Sequence, residues 1–194
     1  MSFSFIRHGE ELLSSRRSML RASGLTLSGT AIALLAGRES LAATASKTKS
    51  PGNDVGILNS ALGAELEAIA AYQAGAESGL LQKPVLDLAV QFQGHHKEHA
   101  ALLASVVSKL GGKPVIAKAQ YAFPLDTLKS QADVLRFAAM LEKGAVSAYL
   151  GAVPLFGDRE LAKAAASILG DEAMHWAILR NAVGENPVPS AFMA

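Results

Sequence analysis

FQGHHKEHAALL at residues 92–103 and ILGDEAMHWAIL at residues 168–179 are two versions of one pattern. At an offset of 76, Gly94 meets Gly170, His95 meets Asp171, His96 meets Glu172, His99 meets His175 and Leu103 meets Leu179. Both stretches have apolar flanks, as a buried helix would. Both nevertheless carry titratable side chains at positions i and i+3, which share a helix face with Cβ atoms about 5–6 Å apart. His96 can therefore point with His99, and Glu172 with His175.

The match extends to the segments that precede them. ALGAELEAIAAY (61–72) aligns with AAMLEKGAVSAY (138–149) at an offset of 77, and each sets a glutamate seven residues before a tyrosine. Leu58, Leu62, Glu65, Ile69 and Tyr72 recur at steps of four, three, four and three. Leu135, Ala139, Glu142, Val146 and Tyr149 repeat those steps. Each set is one helix face with a glutamate at its centre.

Four helices follow from the punctuation. The first starts near Asn53–Asp54, either of which can cap it. Gly79 and Pro84 separate it from the second, which stops at Gly111–Gly112. GKPVIAKAQYAFPLDTLK (112–129) holds Pro114 and Pro124 and is long enough to cross from one end of a bundle to the other. Ser130, with Asp133 three residues on, opens the third helix. Pro154 and Gly157 end or kink it, and Asp158 caps a fourth that closes at Gly184. No alternating strand pattern interrupts this order. The expected fold is all-α: a four-helix bundle at 54–184 with a long crossover between helices 2 and 3 at about 112–130. An irregular tail follows at 185–194.

Residues 1–45 read differently. SRRSMLR (15–21) precedes an uncharged run from Ala22 to Gly37, and Ala43-Thr44-Ala45 forms a small-residue cleavage site. A charged start, an apolar middle and that site describe an export signal. The pair Arg16-Arg17 resembles a twin-arginine signal. The apolar run of 16 residues is short and glycine-interrupted for a membrane span, so no stable span is expected once the signal is cleaved. A periplasmic or otherwise exported location follows, with residues 46–53 as a polar tether.

Five of the 18 Lys+Arg and three of the 17 Asp+Glu lie in that signal, leaving 13 and 14 beyond it. The remaining domain is close to neutral, which argues against nucleic acid as a partner. There is no cysteine, so disulfides, thiolate metal sites and cysteine nucleophiles are excluded. No phosphate-binding, dinucleotide-binding or G-x-S-x-G fingerprint is present.

Glu65, His96, His99, Glu142, Glu172 and His175 can thus converge in the bundle core. Buried, unpaired carboxylates are costly, and a metal ion resolves that cost. A mixed carboxylate and imidazole set suits iron, manganese or zinc. The competing reading is a metal-free bundle that keeps these groups in hydrogen bonds. His95 could replace His96 as the inward residue if the register shifts. Glu67 and Glu98 fall off the inward face and read as solvated charges. Tyr72 and Tyr149 read as core residues whose hydroxyls bond a ligand carboxylate.

These motifs resemble the ferritin-like superfamily, of the rubrerythrin and bacterioferritin type, and most nearly the small exported ferritin-like domains of bacteria. In its di-iron members one glutamate comes from each of helices 1 and 3, and a Glu-x-x-His from each of helices 2 and 4. Glu65 and Glu142 match the lone glutamates, and Glu172-Ala-Met-His175 matches one Glu-x-x-His. His96-Lys-Glu-His99 matches the other with histidine in place of glutamate. The set is therefore three carboxylates and three imidazoles, so one ion or a mixed pair is expected as readily as a di-iron centre. The resemblance implies metal ions as partners, iron or manganese with zinc as a further option. It leaves room for a homodimer. It also leaves three functions open: an oxidoreductase acting on oxygen or peroxide, non-catalytic metal sequestration or stress protection, and a metal-free helical scaffold.

Overall fold

The structure is a computed structural model and describes residues 51–193. The expected export signal at 1–45, and residues 46–50 of the tether, lie outside the described residues. Four long helices follow in order: α1 (Pro51–Glu77), α2 (Lys83–Lys109), α3 (Gln131–Ala152) and α4 (Arg159–Ala182). Two short 3₁₀ turns, Leu125–Thr127 and Val153–Leu155, interrupt the connections. Among the described residues there is no strand.

Local chemistry sets most of the boundaries. The Ser130 hydroxyl accepts from the Asp133 amide and caps α3. Asp158 accepts from the amides of Glu160 and Leu161 and caps α4. Pro84 sits in the first turn of α2, where its missing N–H costs nothing. Gly79, Gly111 and Gly184 follow α1, α2 and α4 with φ of 70°, 78° and 78°, backbone that side-chain-bearing residues rarely adopt.

The start of α1 differs from the expectation. The helix begins at Pro51, so Asn53 and Asp54 lie inside its first turn and not at its N-cap. Their side chains instead tie α1 to the turn between α3 and α4. Asn53 Nδ2 donates to the Leu155 carbonyl at 3.3 Å. The buried Asp54 carboxylate accepts from the amides of Gly157 at 2.8 Å and Asp158 at 3.1 Å. A tertiary use of these side chains has displaced the local one.

Helix α1 packs along α2, α3 along α4, and α1 also meets α3. The 110–130 crossover joins the two pairs and is held at its start by Asn59, whose amide bonds the Lys113 carbonyl and the Val115 amide. Two apolar clusters fill the bundle. One gathers Leu58, Leu62, Leu103, Val107, Tyr149 and Ile168. The other gathers Tyr72, Phe92, Leu135, Trp176 and Leu179. On every helix the inward polar residues lie between the two: Glu65 between Leu62 and Tyr72, and His96 and His99 between Phe92 and Leu103. Glu142 likewise falls between Leu135 and Tyr149, and Glu172 and His175 between Ile168 and Trp176. The fold is thus two apolar plugs enclosing a polar layer.

Candidate metal centre

All six side chains singled out in the sequence meet in that layer. Glu65, His96, Glu142, Glu172 and His175 are buried to within 2% of full enclosure. His99 keeps 14% of its side chain exposed. Its helix faces the same way, but it sits nearer the bundle edge. His96, and not His95, is the inward residue of α2: its Nδ1 lies 2.7 Å from Glu65 Oε2, and its Nε2 lies 3.3 Å from Glu142 Oε1. His99 Nδ1 is 3.1 Å from Glu172 Oε1 and 3.6 Å from Glu65 Oε2. His175 Nδ1 faces Glu142 and Glu172 at 3.5 and 3.6 Å.

The tyrosines act across the bundle. The Tyr149 hydroxyl of α3 donates to Glu65 Oε1 of α1 at 2.6 Å. The Tyr72 hydroxyl of α1 donates to Glu142 Oε1 of α3. Each helix therefore fixes the carboxylate of its neighbour, and the carboxylate's rotamer is set by a group rooted in an apolar cluster. Phe92 stacks on the His175 ring at 3.9 Å between centroids and holds its plane. Trp176 is buried beside it, with the Arg180 guanidinium 5.1 Å from its ring centre.

Two residues join the site that the sequence reading did not count among its ligands. His95 Nδ1 lies 2.8 Å from His175 Nε2. Asp171 Oδ2 lies 3.3 Å from His95 Nδ1, 3.4 Å from His99 Nε2 and 3.3 Å from His175 Nε2. The available signal was their alignment with each other in the two halves of the chain. Of the expected solvated charges, Glu98 is exposed, whereas Glu67 is half-buried.

Fit to a metal can be judged from the donors. Buried Glu142 Oε2, Glu172 Oε2 and His175 Nδ1 have no hydrogen-bond partner, although buried polar atoms are nearly always partnered. Two overlapping sets, Glu65/His96/His99/Glu172 and His96/Glu142/Glu172/His175, each bring one donor atom per residue within 4.8 Å of the others. Ligands about 2.0–2.2 Å from a shared ion are no more than about 4.4 Å apart. The donors therefore fit a transition-metal ion after small closing movements.

With no ion bound, the charges must balance one another. Burial opposes a proton on His96, but its bonds to Glu142 and Glu65 outweigh it and hold the pKa up to about 11. The same contest holds His99 at about 9 through Glu172 and Glu65, and His175 at about 9 through Glu142 and Glu172. For Glu142, burial would raise the pKa, yet the His175 and His96 imidazoles win and hold the carboxyl well below its usual range. Burial, then the charge on Glu142 and Glu65 respectively, pushes the Tyr72 and Tyr149 hydroxyls far up, so they remain donors.

These shifts make a stability prediction for the chelator-stripped protein. A raised imidazole pKa contributes stability that is complete below the unfolded value of about 6.5 and is lost as pH rises through the folded value. The depressed Glu142 contributes stability above its unfolded value of about 4.5, lost as pH falls. The urea midpoint of the stripped protein should therefore be highest near pH 5–6 and fall between pH 6.5 and 9. A midpoint that stays level across that range would mean the imidazoles are already neutral.

The comparisons with known proteins agree with this architecture. Among curated proteins none matches the chain. Its fold is similar to that of a conserved hypothetical protein from Mycobacterium tuberculosis, at 24% identity and a TM-score of 0.64, over 74% of this chain and 99% of that one. It is also similar to ferritin-like, diiron-carboxylate proteins from Bacillus anthracis strain Ames, at 20% identity and a TM-score of 0.60, over 69% and 96% of the two chains. At these identities the likeness speaks for the fold alone. The sequence model of the ferritin-like domain, however, matches residues 53–185, which span all four helices. This chain belongs to the ferritin-like domain family.

Proposed function

We propose that this chain is a metal-binding protein whose bundle core holds one or two transition-metal ions on Glu65, His96, His99, Glu142, Glu172 and His175. The observation that carries the reading is the set of orphaned donors. Glu142 Oε2, Glu172 Oε2 and His175 Nδ1 are buried without a hydrogen-bond partner, and His175 Nδ1 lies 3.6 Å from Glu172 Oε2 and 3.5 Å from the other oxygen, Oε1, of the Glu142 carboxylate. A cation among them would satisfy all three. The diiron-carboxylate description carried by the Bacillus anthracis proteins supports the same reading.

Three nitrogen and three oxygen donors suit iron, manganese or zinc; iron or manganese fits a redox role. Such a metal would supply electron transfer toward oxygen or peroxide. The chain's own residues would bind the ion, orient the ligands through Tyr72 and Tyr149, and exclude water with the two apolar clusters. His96 stands at the position where the Glu-x-x-His pattern of di-iron members would supply a fourth carboxylate. It holds the Glu65 and Glu142 carboxylates together through its two ring nitrogens. That substitution favours a single ion or an unlike pair over a symmetric pair. A second reading, a metal-free scaffold, draws on the charge count: three protonated imidazoles would neutralise three carboxylates.

Elemental analysis after loading with iron, manganese and zinc in turn decides between them. The wild type should retain one or two ions per chain. His99→Ala and Glu172→Ala should weaken retention by more than the 10–100-fold typical of losing a group that only orients a ligand. Glu98→Ala, on the exposed face, should match the wild type. A wild type that retains none of the three metals would leave the scaffold reading in its place. In the loaded protein, peroxide or oxygen turnover supports the oxidoreductase, and stoichiometric metal without turnover supports sequestration.

We further propose that the precursor is exported by the twin-arginine route, which would let the metal be loaded in the cytoplasm before transport. Arg16-Arg17, the weakly apolar run after it and Ala43-Thr44-Ala45 support this. Among the described residues no helix is long and apolar enough to cross a membrane. The double change R16K/R17K should strand the precursor in the cytoplasm; unchanged export in a cell fractionation would contradict the route.

A further inference from the structure

We propose a second metal site at the edge of the core layer, formed by His95, Asp171 and His175 and taking a single divalent transition-metal ion. His95 Nδ1 and His175 Nε2 are 2.8 Å apart, and Asp171 Oδ2 is 3.3 Å from each. Ligands bound at about 2.1 Å stand about 3.0 Å apart when cis in an octahedron and about 3.4 Å apart in a tetrahedron. The observed edges of 2.8, 3.3 and 3.3 Å lie within about 0.3 Å of the octahedral value, so an ion can be capped by all three donors without moving a helix. Two imidazoles and one carboxylate on one face form the facial set used for non-haem iron, and also suit zinc.

Three features separate this triangle from an incidental hydrogen-bonded cluster. Phe92 stacks on His175 and fixes its ring, so Nε2 is aimed outward at the triangle while Nδ1 faces Glu142 and Glu172. The His95 and Asp171 side chains are 35% and 24% exposed, so water can complete the coordination and an ion can enter from solvent. The triad also shares no residue with the core set Glu65, His96, His99 and Glu172, and shares only His175 with the core set His96, Glu142, Glu172 and His175, giving Nε2 to the triangle while Nδ1 faces the core. Inner and outer sites can be filled at once with no donor atom counted twice. Asp171 links them, because His99 can place Nδ1 on the inner ion while Nε2 lies 3.4 Å from Asp171 Oδ2. The outer site does not require the inner one to be filled.

Titration of the chelator-stripped, full-length mature protein with Co²⁺, followed by calorimetry and visible absorption, tests this. The wild type should show two classes of site. His95→Ala should remove one equivalent, or weaken that class by more than about 100-fold, and leave the other class with its spectrum intact. Asp171→Asn should act on the same class. Glu65→Ala should do the reverse, weakening the inner class and sparing the outer. If His95→Ala binds as many Co²⁺ ions as the wild type, with the same affinities, the proposal is overturned: His95 and Asp171 then serve only to orient His99 and His175. It is equally overturned if His95→Ala and Glu65→Ala abolish one and the same equivalent. If Glu65→Ala and the wild type bind one identical ion that His95→Ala loses, the outer site stands and the core reading fails.

Discussion

The rest of this structure depends on a polar layer that an apolar bundle cannot hold uncompensated. Three carboxylates and three imidazoles lie between two apolar clusters, five of the six almost wholly removed from water. An isolated buried charge costs several kcal/mol even after the protein relaxes. The layer therefore exists only with its charge balanced, and balance can come from three imidazolium protons or from metal cations. The two are alternatives at the same atoms. An ion can bind His96, His99 or His175 only by displacing a proton, so metal affinity and pH are linked through this one layer.

The architecture around the layer makes that balance geometric as well as electrostatic. Tyr149 and Tyr72 each cross from one helix to the glutamate of another. Neither carboxylate can rotate without breaking a bond to a ring packed in an apolar cluster. Asp54 plays a comparable role at one end of the bundle, where it fastens α1 to the α3–α4 turn. Such cross-ties keep four long helices in the rotation that brings donors together, and a rotation error of one position would carry His95 inward in place of His96.

Much of this was legible in the sequence because it rests on local rules. Ser130 and Asp158 act as caps where their hydrogen bonds to nearby amides predict it. The four-three-four-three spacing of Leu62, Glu65, Ile69 and Tyr72 marks one face whatever that face packs against. The six core donors follow from that spacing and from the alignment of the two halves. What escaped the sequence depends on how helices meet. Asn53 and Asp54 have capping side chains, but their partners, Leu155, Gly157 and Asp158, are about a hundred residues away. His95 and Asp171 lie one residue before inward positions, at the flank of each helix. Whether flank residues touch solvent or each other is set by the approach of α2 to α4, which no spacing within one helix encodes.

The central claim is that the polar layer is a metal centre and not a proton-neutralised core. The anomalous difference map of a crystal of the iron- or zinc-loaded protein, collected at the metal's absorption edge, tests it most directly. The account predicts a peak inside the bundle with nitrogen and oxygen ligands at about 2.0–2.2 Å, drawn from Glu65, His96, His99, Glu142, Glu172 and His175. A map with no peak in the layer, in which His96 still bridges Glu65 and Glu142 through direct hydrogen bonds, would contradict it.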